Sequence, residues 1–170
     1  MSNEIHNKKA RIRKDYPYHL EYRTRWSDND MYSHLNNSIY AFLFDSIINS
    51  YLISHCGLNP FTTDSLQITT AAESTQVGLV VSSYCDYFAS VAFPDVLDLG
   101  LRVVKLGKSS VTYEVGVFRQ GEEAVKVVGG FTHVFVRKQD MKPTSAGMEA
   151  TIRKGLERLV LERRSETSKL

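Results

Sequence analysis

The chain has 170 residues, of which 42% are hydrophobic and 24% charged, and its formal net charge is +2. This size suits one domain with a single core, and the composition excludes a disordered chain or a strongly basic nucleic-acid binder. The longest apolar run, over 39–53, is interrupted by Asp45 and Asn49 and is too short to span a bilayer. The two cysteines, Cys56 and Cys85, have no paired spacing, so we expect a reduced intracellular chain.

The chain begins with a basic tail, predicted over 1–18. It lacks the hydrophobic core of a secretory signal. Its positive charges are expected to be solvated, and they lie at Lys8, Lys9, Arg11, Arg13 and Lys14.

A strand over 19–26, a polar loop over 27–35 and a long helix over 37–56 are predicted next. Apolar and polar residues alternate in HLEYRTRW, which is typical of a strand with one polar face. The helix is predicted to end at Gly57, because glycine readily adopts the left-handed conformation that follows a helix. Its apolar residues lie almost all the way round, so we expect it to be buried on most sides.

Four β-like segments with short connections follow and predict an antiparallel meander. They cover 76–88, 96–107, 110–119 and 124–137. One sheet can cover only one side of the helix, and the last strand is apolar on both faces. We therefore expect a second copy of the chain to bury the rest, in a homodimer or homotetramer.

The C-terminal region, 141–164, is predicted to contain an amphipathic surface helix, because apolar residues recur there at helical spacing between basic ones. An exposed tail over 165–170 follows. It ends in Ser168, Lys169 and Leu170, a tripeptide that the peroxisomal import receptor reads at a chain terminus. A peroxisomal location is therefore expected, and a cytoplasmic one without that signal.

The stretch RWSDNDMYSHLNNSIYAF, over 25–42, places two aspartates, a histidine and two asparagines before an apolar helix. Such residues are common turn and cap formers. A carboxylate at a helix start could also attack a carbonyl carbon or deprotonate a water. The unpaired N–H groups of the first helical turn could stabilise the oxyanion that forms. The residues alone leave both interpretations open.

DNDMYSHLNN, over 28–37, resembles the helix-entry signature of the 4-hydroxybenzoyl-CoA thioesterase-like acyl-CoA thioesterases. GLVVSSYCDYF, FPD and LGKSSVTYEVGVF follow in the expected order, and the likeness covers about 19–140. It implies an α+β hotdog fold, in which an antiparallel sheet wraps around one long central helix. Here a C-terminal amphipathic helix would be added.

The resemblance implies hydrolysis of an acyl-CoA thioester to a free acid and CoA. Asp30 would be the catalytic carboxylate, acting as nucleophile or general base, and the backbone N–H of Asn37 would donate to the thioester carbonyl. Asp28 would support the loop. His34 would orient the substrate or the aspartate, or bond the loop backbone, and Asn36, a candidate N-cap, would belong to the catalytic group by positioning Asn37.

The turn between the third and fourth strands carries Lys108, Ser109 and Ser110, which resemble positions that contact the CoA nucleotide in related thioesterases. A solvated hairpin is the alternative. Ser83 is a further candidate for substrate binding. Ser82 departs from the family pattern, because relatives often carry an acidic residue there.

Other chemistries lack their motifs. The sequence has no GxSxG, Walker or Rossmann pattern, and its histidines lack metal-ligand spacing, so no metal or redox cofactor is expected. His133, on an apolar strand, is expected to be a hydrogen-bonded core histidine. Two alternatives to hydrolysis stay open: an enoyl-CoA hydratase using an Asp–His pair, and a non-catalytic acyl-CoA-binding protein, for which Ser82 leaves room.

Overall fold

A computed structural model describes residues 3–58 and 74–161, in which five antiparallel strands pack against one long helix. The predicted α+β architecture of a sheet around a central helix is confirmed. The elements are α1 (Asn3–Lys9), β1 (Tyr18–Arg23), α2 (Asn37–Cys56), β2 (Gln76–Tyr87), β3 (Val96–Leu106), β4 (Ser110–Arg119), β5 (Val125–Arg137) and α3 (Ala150–Glu157).

The strand order in the sheet is β1-β3-β4-β5-β2, and all neighbours are antiparallel. The predicted meander is confirmed for β3, β4 and β5 but is wrong for β2. That strand pairs with β5, from Gln76 opposite Arg137 to Tyr87 opposite Val127, and so lies at the far edge. Alternation of apolar residues predicts which face a side chain takes, but it does not specify which strands are neighbours.

Helix α2 forms because both of its ends are capped and one face is strongly apolar. The side chain of Asn36 accepts a hydrogen bond from Ser38 N at 3.0 Å, and Gly57 ends the helix with φ 65°. The buried face comprises Tyr40, Leu43, Phe44, Ile47, Ile48, Tyr51, Leu52 and Cys56. Each fully buried aliphatic side chain contributes about 1.5–3 kcal/mol. The opposite face is open in one chain and exposes 67% of Phe42, so burial on most sides would need a second chain.

The prediction of a solvated N-terminal tail is wrong. Three of its cations form ion pairs with carboxylates of the sheet: Lys8 with Asp86 at 2.9 Å, Arg11 with Glu114 at 3.0 Å and Arg13 with Asp98 at 2.9 Å. Tyr16 is buried in a second, smaller apolar cluster with Phe118, on the sheet face away from α2. The segment is held in place because these partners are buried or half-buried side chains on three strands, β2, β3 and β4.

The C-terminal helix is shorter than the predicted 141–164, since α3 spans Ala150–Glu157. Pro143 and Gly147, which has φ 90°, keep the preceding residues in turns. Gly155 lies so close to α2 that a Cβ atom there would meet Cys56 Sγ. Most of the predicted loop over 57–75 and the tail over 165–170, with its terminal tripeptide, lie outside the described residues. None of the described helices is both long and apolar enough to cross a membrane.

Candidate active site

The loop between β1 and α2 is held in place by Asp28, whose side chain is buried. Asp28 Oδ2 accepts hydrogen bonds from Tyr22 Oη at 2.9 Å and from Arg25 N at 2.8 Å. Burial, together with the bond to Asp28, raises the pKa of Tyr22. The backbone oxygen of Asp28 accepts from Asn36 N at 2.8 Å and ties the loop to the helix start. Because all of these contacts are internal, the role of Asp28 is to hold the loop in shape.

Asp30 is half-buried, and only one of its carboxylate oxygens is occupied. Oδ1 accepts from the backbone N–H groups of Tyr32 at 2.8 Å and His34 at 3.2 Å. Oδ2 has no hydrogen-bond partner within residues 3–58 and 74–161. Burial raises the pKa of Tyr40, and the charge of Asp30 adds to that rise, so this carboxylate is within electrostatic range of the first turn of α2. The turn-forming and the catalytic interpretations therefore involve different oxygens of the same side chain.

The start of α2 presents a free backbone donor. Asn36 Oδ1 accepts from both Ser38 N at 3.0 Å and Ser38 Oγ at 2.8 Å. The N–H of Asn37, the first helical residue, meets no acceptor in the described part of the chain. It lies at the positive end of the helix dipole, which favours an oxyanion there.

His34 contributes its backbone rather than its ring to this loop. Its N–H donates to Asp30 Oδ1, and its carbonyl accepts from Asp30 N at 2.7 Å. Among the described residues the exposed imidazole of His34 makes no hydrogen bond. The Asp–His side-chain pair that a hydratase would use is therefore not formed.

Large exposed apolar side chains lie on and beside the loop, and the sequence pattern did not predict them as part of the site. The exposed fractions are 81% for Trp26, 87% for Met31 and 73% for Tyr32, and Phe93 packs edge-on against Trp26. The N–H of Phe93 donates to Asn29 Oδ1 at 2.9 Å, so these four side chains form an apolar rim on the loop that carries Asp30. The sequence does contain a sign of this rim, because Met31 and Tyr32 are large apolar residues within a loop that is otherwise polar. An exposed apolar rim of this kind is suited to contact an acyl group or a second chain.

The predicted CoA-binding hairpin is not brought to Asp30 within one chain. Lys108 and its neighbours lie beside α3, where Arg153 Nη2 donates to Gly107 O. Helix α3 packs on the last turns of α2, since Tyr51 Oη donates to Gly155 O at 2.6 Å. Asp30 lies at the opposite end of this 20-residue helix, which is about 30 Å long at 1.5 Å per residue.

Ser82 and Ser83 lie on β2, between these two ends, and both are exposed. The strand bulges between Val80 and Ser82 and exposes 60% of Val81. Among the described residues no strand pairs with its outer edge. An unpaired edge with apolar side chains is a surface on which another strand can add.

His133 is buried, as expected, but it lacks the expected hydrogen bonds. Neither ring nitrogen has a partner in the described residues, and burial lowers the pKa of His133 to about 4. The nearby Tyr113, whose ring centre is 5.2 Å away, has an unpartnered buried hydroxyl. In the part of the chain that the structure describes, no cluster of His, Cys, Asp and Glu could hold a metal ion.

Comparisons with known proteins match the chain to one family model and to solved structures that share its fold. A family model described as the thioesterase superfamily matches residues 32–126. No curated protein matches the chain. The solved structure of the PA5185 protein from Pseudomonas aeruginosa is 40% identical, covers 87% of this chain and 94% of its own, and superposes with a TM-score of 0.75.

Two more distant solved structures share the fold. A 1,4-dihydroxy-2-naphthoyl-CoA thioesterase from Synechocystis is 12% identical, covers 82% of this chain and 94% of its own, and has a TM-score of 0.64. The SAV2348 protein from Staphylococcus aureus, solved in complex with CoA, is 10% identical, covers 83% of this chain and 82% of its own, and has a TM-score of 0.69. At these identities the two likenesses support the fold alone.

Proposed function

This chain belongs to the thioesterase superfamily, and we propose that it hydrolyses an acyl-CoA thioester to a free acid and CoA. The observation that carries the proposal is the pairing of two groups at the start of α2. The Asp30 carboxylate is fixed by the loop through one oxygen and leaves the other free. The N–H of Asn37 follows it at the positive end of the helix.

The two groups could divide the chemistry between them. The N–H of Asn37 donates to the thioester carbonyl oxygen and stabilises the negative charge that develops there, a role worth about 3–4 kcal/mol per donor in other enzymes. The free oxygen of Asp30 either attacks the carbonyl carbon or takes a proton from an attacking water. In the first case CoA leaves as the thiolate, and water then hydrolyses the acyl–Asp30 anhydride. In the second case water adds directly, and the carboxylate returns the proton to the leaving sulfur.

We further propose that the working unit is a homodimer paired through the outer edges of β2. The strand runs along α2: Gln76 bonds Gly147, next to α3, and Tyr87 contacts Tyr40, in the first turn of the helix, at 5.3 Å between ring centres. Antiparallel pairing of two β2 strands puts the Tyr87 end of one beside the Gln76 end of the other. The hairpin of the partner then lies at the Asp30 end of the first chain, and the apolar edge is buried.

Replacing Asp30 by Asn tests the chemistry. The loop hydrogen bonds can be kept by the amide oxygen, but the nucleophile or base is lost, so we expect kcat to fall by on the order of 10²–10⁴. The measurement is release of free thiol from a panel of acyl-CoAs. Asp15→Asn, on the sheet face away from α2, is the matched control and should keep wild-type activity.

The same measurement separates the remaining alternative. Binding of acyl-CoA by the wild type without release of thiol would favour a non-catalytic acyl-CoA-binding protein. Thiol release that is equal in wild type and Asp30→Asn would contradict the role given to Asp30.

A further inference from the structure

The hairpin between β3 and β4 has its backbone carbonyl groups tied to the body of the protein. The three bonds are Arg153 Nη2 to Gly107 O at 2.5 Å, Met148 N to Lys108 O at 2.9 Å and Phe135 N to Ser109 O at 2.8 Å. The turn itself is closed by Gly107 N, which donates to Ser110 O at 2.8 Å. The orientation of successive peptide groups in the turn is therefore fixed.

This orientation turns two backbone N–H groups outward. In a trans peptide the N–H points away from the C=O of the same peptide group. Because the carbonyls of Gly107 and Lys108 face the protein, the N–H groups of Lys108 and Ser109 face away from it. Neither N–H has an acceptor among the described residues, and the Lys108 side chain is exposed beside them. Two neighbouring N–H donors next to an ammonium group suit a phosphate.

The donors to the Gly107 and Lys108 carbonyls, Arg153 and Met148, come from the C-terminal segment, which lies beyond the 32–126 match to the family model. Arg153 Nη2 also reaches Lys108 O at 3.4 Å, so one guanidinium nitrogen lies against two consecutive carbonyls. Gly147 has φ 90°, and a Cβ atom there would lie 2.6 Å from Lys108 O, so this segment needs glycine to approach the turn.

We propose that Arg153 is a positioning residue for the phosphate end of CoA. It touches no ligand itself but holds the hairpin so that the N–H groups of Lys108 and Ser109 remain directed outward. The identity of the ligand rests on the proposed function, whereas the role of Arg153 in shaping the turn does not.

Direct binding to the full-length protein tests this inference without relying on catalysis. The measurement is titration calorimetry with CoA and with pantetheine, which has the same thiol arm but lacks the phosphates and the nucleotide. In Arg153→Met we expect CoA to bind about tenfold more weakly, the loss of one charge-assisted hydrogen bond, and pantetheine to bind as in the wild type. Arg153→Lys, which can still donate to one carbonyl, should recover most of the CoA affinity.

Lys154→Met is the matched control, because it removes one positive charge from the next position of α3. Lys154 is exposed, so its loss should change CoA binding less than twofold at physiological salt. If Arg153→Met binds CoA like the wild type, or weakens CoA and pantetheine equally, the inference is overturned. If CoA binding depends on Arg153 but no acyl-CoA is hydrolysed, the proposed function fails and the inference stands.

Discussion

At the scale of single residues, His133 is the side chain whose burial has a direct pH consequence. It is 2% exposed, and burial lowers its pKa from the ordinary value of 6.5 to about 4. Below pH 6.5 the unfolded chain binds a proton that the folded chain does not take up until about pH 4. The free energy of unfolding therefore falls as the pH drops through this window, by about 2 kcal/mol between pH 7 and 5.

His133→Phe should remove this dependence. The substitution also removes two buried nitrogens without partners, so at pH 7 the variant should be at least as stable as the wild type. Urea unfolding of both proteins at pH 7 and pH 5 measures the effect. His6→Gln, an exposed position on α1, should retain the wild-type pH dependence. If His133→Phe and the wild type lost equal stability between pH 7 and pH 5, the pH dependence would not come from His133.

The loop residues of the site could be predicted because their contacts are local in sequence. Asp30 bonds the backbone two and four residues ahead, and Asn36 bonds Ser38. Patterns of this kind are specified by neighbouring residues. The sequence contained no local evidence that the hairpin with Lys108 lies at the other end of α2, because that separation depends on how α3 packs.

At the scale of elements, the N-terminal segment is stabilised by contacts that no local pattern shows. Lys8 pairs with Asp86, 78 residues further along the chain, and Arg11 pairs with Glu114, 103 residues further along. The cluster therefore has the sequence pattern of a solvated tail. The bounds of the strands were easier to predict, since the alternation over 110–119 gave the bounds of β4. The pairing of β2 with β5 could not be predicted in this way, because it depends on where the chain crosses the sheet.

Substitution of Gly116 tests how firmly this segment is docked. A Cβ atom at Gly116 would lie 2.6 Å from the ring of Tyr16, whose hydroxyl is bonded to Glu114 at 3.2 Å. Gly116→Ala should therefore cost about 1–3 kcal/mol of unfolding free energy, because the tethered ring must move. In a Tyr16→Ala background the same change should cost less than about 0.5 kcal/mol, since the space is then empty.

Urea unfolding of the four proteins of this double-mutant cycle gives the coupling energy. Additive costs in the two backgrounds would mean that Tyr16 does not occupy the groove beside Gly116, and that the N-terminal segment does not pack there.

At the scale of the whole molecule, pairing through β2 is the arrangement that connects architecture with function. We expect sedimentation equilibrium to show a dimer for the wild type and a larger monomer fraction for Val81→Lys. Antiparallel pairing brings the two copies of this region together, so the new charges repel each other. Val104→Lys makes the same change at an exposed valine of β3, away from the β2 edge, and should remain dimeric. A fully dimeric Val81→Lys would contradict pairing through this edge.

In the proposed dimer each active site combines Asp30 of one chain with the β3–β4 hairpin of the other. This shared site can be tested with two variants that carry their defects in different chains. Asp30→Asn and Lys108→Glu should each lower kcat/KM for an acyl-CoA when both subunits carry the change. In a heterodimer of the two variants, one site combines an intact Asp30 with an intact hairpin, and the other site has both defects. Co-expression with two different affinity tags and purification on both should therefore give about half of the wild-type kcat/KM. If each site were built from one chain, every site of this heterodimer would carry one defect, and the activity would stay at the level of the variants.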